Sequence, residues 1–222
     1  MAARYFPEVF DATDLDRAKR IILTDEGAGA DTEARWALET PYVLELIGQV
    51  FAPRPDMLVL DYGCGIGRIA KALIETHGCR VIGLDISPRM RALAVDYVAS
   101  ERFLTVSPEQ FEMLLAGGVR VDAAVAVWVL QHCFRPADDI DRIRRALAAD
   151  GRCFVLNMPK RAVPARRDGG AEGEGFVWVA DGIDVAALLR KALLAETGGV
   201  PDKPGIPKMA DAGAYWMGLR RT

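Results

Sequence analysis

The sequence predicts an α/β fold built on a doubly wound, mostly parallel sheet, and three observations carry that prediction. Apolar runs such as Met57–Leu60 and Ala123–Leu130 show no polar alternation, as expected of strands buried on both faces. Stretches with apolar residues at helical spacing alternate with these runs, the βαβα order that gives a parallel sheet. The first run also ends in a glycine turn that opens a helix, since Ile69, Ala70, Leu73 and Ile74 recur at helix intervals.

That turn, Met57 to Leu73, reads MLVLDYGCGIGRIAKAL. Glycines at every second position (Gly63, Gly65, Gly67) allow a tight turn and close approach of a ligand to bare backbone. A dinucleotide fingerprint is spaced G-x-G-x-x-G, whereas this turn is G-x-G-x-G preceded by Asp61. An acid there repels phosphate and suits a cationic group. The spacing therefore argues against a nicotinamide-dinucleotide oxidoreductase.

Downstream, Arg68–His77 reads as a helix with Gly78 at its C-terminal cap. The run CRVIGLD is a second strand ending in Asp85, and Ser87 and Pro88 are placed to cap and begin the next helix. An acid at the end of this strand can accept hydrogen bonds from both hydroxyls of a ribose laid across the first turn.

The pair D-x-G-x-G-x-G and VIGLDIS resembles motifs I and II of the class I S-adenosylmethionine-dependent methyltransferases. The likeness covers about residues 32–158 well and the C-terminal part loosely. It implies a Rossmann-like sheet of seven strands, closed by an antiparallel C-terminal hairpin strand from AYWMGLRR against the strand RCFVLNM. It implies S-adenosylmethionine as cofactor, with Asp61, Gly63, Cys64, Gly65 and Gly67 around its amino-acid end. Asp85 would take its ribose, and Ile86 and Met90 would flank its adenine. Trp128–His132, at the carboxyl end of the strand VDAAVAVWVLQH, would line the methionine end (Trp128) and the acceptor mouth. His132 is the candidate general base, with a structural strand-end role as the alternative. The family's acid after the third strand is missing from FLTVSPEQF, leaving Ser107 or Glu109 to substitute.

The remaining elements follow from periodicity. Residues 1–52 are expected to form an N-terminal helical segment and a candidate lid; residues 53–222 form the cofactor-binding domain. Glu26–Ala30 reads as a loop, and Pro41 is expected to break the helix that begins near Asp31. Trp36 and Tyr42 are lid aromatics or core residues, and Arg35 with Glu39 is a surface pair. Residues 159–175, rich in basic residues and then in glycine, read as a mobile loop able to attract an anionic acceptor. IDVAALLRKALLAET reads as one helix.

Composition bounds the function. The 222 residues are 51% hydrophobic with a formal net charge of −3, so no global basic field draws the chain to nucleic acid or anionic membrane. No apolar run approaches the roughly 20 residues of a membrane span, and a cytoplasmic location is the default expectation. Four scattered cysteines and two histidines argue against a metal centre. The expected activity is methyl transfer to an oxygen or nitrogen of a small molecule. The alternative is a non-catalytic protein that binds S-adenosylmethionine or S-adenosylhomocysteine as a sensor or partner subunit.

Overall fold

The computed structural model describes residues 3–24, 31–167, 175–202 and 213–222. The Glu26–Ala30 loop, the glycine-rich part of the 159–175 stretch and most of the Gly- and Pro-rich connection after Gly199 lie outside the described residues. The main sheet comprises β2 (Leu58–Tyr62), β3 (Arg80–Leu84), β4 (Phe103–Val106), β5 (Val121–Val127), β6 (Leu147–Asn157), β9 (Leu194–Gly199) and β10 (Tyr215–Arg220). These seven strands are ordered β4-β3-β2-β5-β6-β10-β9. The first five run parallel, and β10 pairs antiparallel with both β6 and β9. The expected parallel sheet with its C-terminal hairpin is present.

Residues alternate across β2, so neighbours serve opposite cores. Leu60 and Tyr62 pack with α5 (Pro108–Ala116), α6 (Pro136–Ala146) and α7 (Val185–Ala192), through Phe111, Ile140, Ile143 and Leu189. Val59 packs with α2 (Thr32–Val50) and α3 (Arg68–His77), through Val43, Ile47, Ala70 and Leu73. Asp61 shares the Val59 face, which puts its carboxylate against the first turn of α3. Gly78, at φ +70°, ends α3 as expected. Ser87 caps α4 (Pro88–Val98) by accepting from the Met90 amide at 3.0 Å.

Three expectations about secondary structure are corrected. α2 runs unbroken through Pro41. Its buried stripe of Tyr42, Val43, Leu46, Ile47 and Val50 outweighs the lost amide, and the Thr40 hydroxyl donates to the Trp36 carbonyl just before the proline. The helix expected to extend through Thr197 ends at Ala192, because Leu194–Gly199 pairs with β10. Tertiary pairing overrides the helical propensity of LLAET. Val163–Arg167, expected as loop, is strand β7, which joins β1 (Ala3–Tyr5) and β8 (Val177–Val179) in a second, three-stranded antiparallel sheet.

One side-chain expectation changes as well, and one open alternative is decided. Glu39 is buried rather than exposed, and its Oε1 accepts from Arg35 Nε at 2.7 Å. Tyr42 belongs to the core, while Trp36 donates to the Tyr97 hydroxyl and lies under Arg68 and Lys19; both rings are packing residues. Among the described residues, no helix is long and apolar enough to cross a membrane.

Candidate active site

The glycine turn is held against β3. The amides of Gly63 and Cys64 both donate to the Leu84 carbonyl, at 2.7 and 3.0 Å, and that of Gly67 donates to Cys64 O at 2.8 Å. Gly65 donates to Asp85 Oδ2 at 2.8 Å. All three glycines have positive φ, and at Gly63 an added Cβ would meet Val129 Cγ2 at 2.3 Å. Glycine is therefore required there by conformation and by space. With these four amides bonded inside the fold, the turn presents bare backbone to a ligand rather than a nest of free N–H groups for a phosphate.

Two carboxylates flank the turn. Asp61 is buried, its Oδ2 accepts from the Ala70 amide at 3.1 Å, and burial raises its pKa to about 7 against the lowering pull of Arg68. Asp85 accepts from Gly65 N and, through Oδ1, from Ser87 N at 2.9 Å. Burial raises its pKa too, opposed by those two amides. One lone pair on each Asp85 oxygen is thereby fixed, and the second on each remains for a ligand hydroxyl.

The N-terminal segment closes over this arrangement. After β1 come a short 3-10 turn, Pro7–Phe10, and then α1 (Leu15–Ile22). Ile22 Cδ1 lies 2.7 Å from where a Gly65 Cβ would sit, and Ala12 and Ala18 pack with Ile66 and Met90. The cavity so enclosed has a volume of about 1040 Å³. Asp61, Gly63, Cys64, Gly65, Asp85, Ile86, Met90, Trp128 and His132 all line it; Gly67 is set back beneath Val98. Ser107 and Glu109 do not line it: the Ser107 hydroxyl donates to Glu109 Oε2 at 2.7 Å, and Pro108 lines the wall instead.

β5 ends at Val127 because Trp128 has φ +59°, a left-handed conformation costing a non-glycine residue about 1–2 kcal/mol. The indole Nε1 of Trp128 is buried with no hydrogen-bond partner among the described residues, an orphan donor in the cavity lining. His132 is fixed at both ring nitrogens. Nδ1 is 2.7 Å from the Ala162 carbonyl, to which it can only donate, so Nε2 carries the lone pair and faces Gln131 Nε2 at 3.2 Å. The Gln131 amide is oriented in turn by its Oε1, which accepts from Met158 N at 2.9 Å. Burial, with Arg161 nearby, lowers the His132 pKa and keeps the imidazole neutral.

The basic stretch after β6 does not act as expected. Arg161 is buried and binds Asp181 through Nε and Nη2, and it donates also to Leu130 O. Arg166 lies over the Phe6 ring, and neither of these arginines nor Lys160 lines the cavity. What sequence reasoning missed is a group of rings around His132, from Phe10 and Trp178. Only the aromatic content of FPEVF and FVWV hinted at it.

Residues 60–155, somewhat under half of the chain, match the family described as a methyltransferase domain. This stretch is a methyltransferase domain of the class I fold. Solved structures agree on that fold. Geranyl diphosphate C-methyltransferase from Streptomyces coelicolor A3(2) superposes with a TM-score of 0.61 at 14% identity, covering 91% of this chain and 88% of its own. The cyclase SpnF superposes with a TM-score of 0.62 at 17% identity, covering 88% and 85%, so the fold is not tied to one reaction. Among curated relatives, a ubiquinone biosynthesis O-methyltransferase of Methylobacterium sp. (strain 4-46) is 34% identical over 99 residues, 44% of this chain and 38% of the relative. N-demethylindolmycin N-methyltransferase of Streptomyces griseus is 31% identical over 108 residues, 45% and 43%. The chain thus spans about two fifths of the length of these relatives.

Proposed function

We propose that this protein transfers a methyl group from S-adenosylmethionine to an oxygen or nitrogen nucleophile of a small molecule. The observation that supports this most directly is the joint cradle of Asp85 and the glycine turn. The Gly65–Asp85 hydrogen bond of 2.8 Å locks a diol-binding carboxylate to a turn whose four amides are already bonded. Such a cradle suits a nucleoside with a cationic tail better than a pyrophosphate. In this reading Asp61, with the backbone of Gly63, Cys64 and Gly65, holds the ammonium end. Asp85 accepts from the ribose hydroxyls, Ile86 and Met90 flank the base, and the Trp128 indole donates to a polar atom of the bound ligand. When bound, S-adenosylmethionine supplies an electrophilic methyl group on a sulfonium, which leaves as the neutral thioether.

The residues of the chain then have to align the acceptor and receive its proton. His132, its ring fixed by Ala162, serves as general base through the neutral Nε2 once the acceptor hydroxyl takes the place of the Gln131 amide that donates there. The N-terminal segment through residue 52 serves as the lid that excludes water. Isothermal titration tests the cofactor reading: S-adenosylmethionine should bind, and Asp85→Ala should weaken it by about tenfold or more. Absence of binding, or binding indifferent to Asp85→Ala, overturns it. A second reading, a binding protein without transfer, is favoured by the commitment of Ser107 and Glu109 to each other outside the cavity. Labelled-methyl transfer to any acceptor removes it.

A further inference from the structure

The cavity is large for one ligand: pockets that bury a drug-sized molecule run to roughly 1,000 Å³ or less. The glycine turn and Asp85 occupy one side, and the other is walled by rings. Phe10, His132 and Trp178 form a triangle with centroids 5.4, 5.3 and 6.1 Å apart. Phe176 meets Trp178 edge-on at 5.1 Å, and Tyr5 stacks on Phe134 at 5.2 Å with 20° between planes. These rings come from the N-terminal segment, the loop after β5 and the approach to β8. Tertiary structure assembles them at the cavity although the sequence scatters them.

Several of these rings remain open to a ligand. Phe134 is 52% exposed, Trp178 48% and Phe176 37%, and all three line the cavity. Large exposed aromatics gathered at one cavity mark a recognition surface. Charged groups of both signs, among them Glu8, Arg135, Asp138, Asp139 and Arg142, also line the cavity, and within the ring wall the directional polar group is His132. His132 Nε2 is an acceptor, because Nδ1 is committed to Ala162 O; its lone pair now accepts from Gln131 Nε2 at 3.2 Å, so an acceptor hydroxyl reaches it by displacing that amide. Behind the ring lies the buried guanidinium of Arg161, which is paired with Asp181.

We infer that this wall is the acceptor subsite and that it takes a planar aromatic ring bearing a hydroxyl, with the hydroxyl directed at His132 Nε2. The inference rests on the proposed methyl transfer for its biological meaning, but its ring preference is measurable without it.

The test uses 2-naphthol, its saturated analogue 2-decalol and naphthalene, titrated into the full chain with and without S-adenosylhomocysteine. The wild type should bind 2-naphthol at least tenfold more tightly than 2-decalol. Trp178→Leu and Phe10→Leu should each cut that ratio about threefold or more while leaving S-adenosylhomocysteine affinity unchanged. His132→Leu should remove the advantage of 2-naphthol over naphthalene. Equal affinity for the aromatic and saturated alcohols, or a ring preference untouched by both wall variants, overturns the inference. If S-adenosylhomocysteine fails to bind, the cofactor reading falls, and the titrations without it still decide the ring preference.

Discussion

The Ser87 hydroxyl donates to Asp11 Oδ1 at 2.6 Å, joining the N-terminal segment to the cap of α4. The same residue's amide donates to Asp85. The cover of the site and the carboxylate proposed to hold the ribose therefore meet at a single serine. Asp11→Asn weakens the cover contact and leaves the α4 cap intact. A charged hydrogen bond of this kind contributes about 1.5–3 kcal/mol. Arg89, which also pairs with Asp11, is mostly exposed and adds little. The expected outcome is a cofactor Kd raised about fivefold or more, with faster proteolysis in the first 24 residues. Titration calorimetry and limited digestion check both.

Asp61 should make both stability and binding depend on pH. Its folded pKa of about 7 lies above the unfolded carboxylate value, so the folded state holds a proton that the unfolded state releases. The sign follows: its contribution is full below about pH 4 and is lost as pH rises through 7. Denaturation of wild type against Asp61→Asn, from pH 4.5 to 8, should show the variant gaining relative stability as pH rises. Binding of an ammonium beside Asp61 should reverse the preference and release roughly half a proton per site at pH 7. Calorimetry in buffers of different ionisation enthalpy measures that release.

For His132, burial places the pKa below its ordinary 6.5. The imidazole is then the free base at neutral pH, and an acid limb in kcat should fall below pH 6.5. His132→Asn should lower kcat by about 10²–10⁴-fold with little change in cofactor affinity. Stopped-flow or steady-state profiles across pH 5 to 9 would show whether that limb disappears.

Gly63→Ala sets a side chain in the left-handed region and against Val129. Strain and overpacking together should cost about 2–4 kcal/mol, read from urea denaturation. Adding Val129→Ala should return the packing part and leave the backbone part.

The Arg161–Asp181 pair holds the ring wall in place. Asp181→Asn leaves the Arg161 cation buried without its counter-charge and should destabilise the fold by about 3 kcal/mol at pH 7. Asp181 is held below its usual pKa by Arg161, so the wild-type advantage is present above about pH 4 and shrinks as pH falls through the folded value. Thermal denaturation of both forms at pH 7 and pH 3 checks the size and the direction.

Much of the fold could be read from the sequence, because its signals are local. Continuous apolar runs marked β2, β3 and β5, and Ser87, Pro88 and Gly78 marked helix ends. Asp61, Asp85, Trp128 and His132 fell in one cavity because strand ends and the turns after them collect at one edge of a parallel sheet. What was not legible depends on distant partners. β7 looks like a basic loop until Tyr5 pairs with Ala165. LLAET reads as helix until β10 supplies a ladder. Arg161 reads as a free cation until Asp181 neutralises it. The ring wall is the clearest case, since Phe10, His132 and Trp178 have no spacing rule that links them.

The pairing of β1 with β7 also sets an order of assembly. Ala3 lies opposite Arg167 and Tyr5 opposite Ala165, so β1 must wait for a strand that follows β6. On the ribosome the parallel strands and their helices can dock while β1 still lacks its partner. The roof of the cavity is therefore laid only after the parallel strands, and a fusion placed ahead of Ala3 would burden that step rather than the parallel sheet.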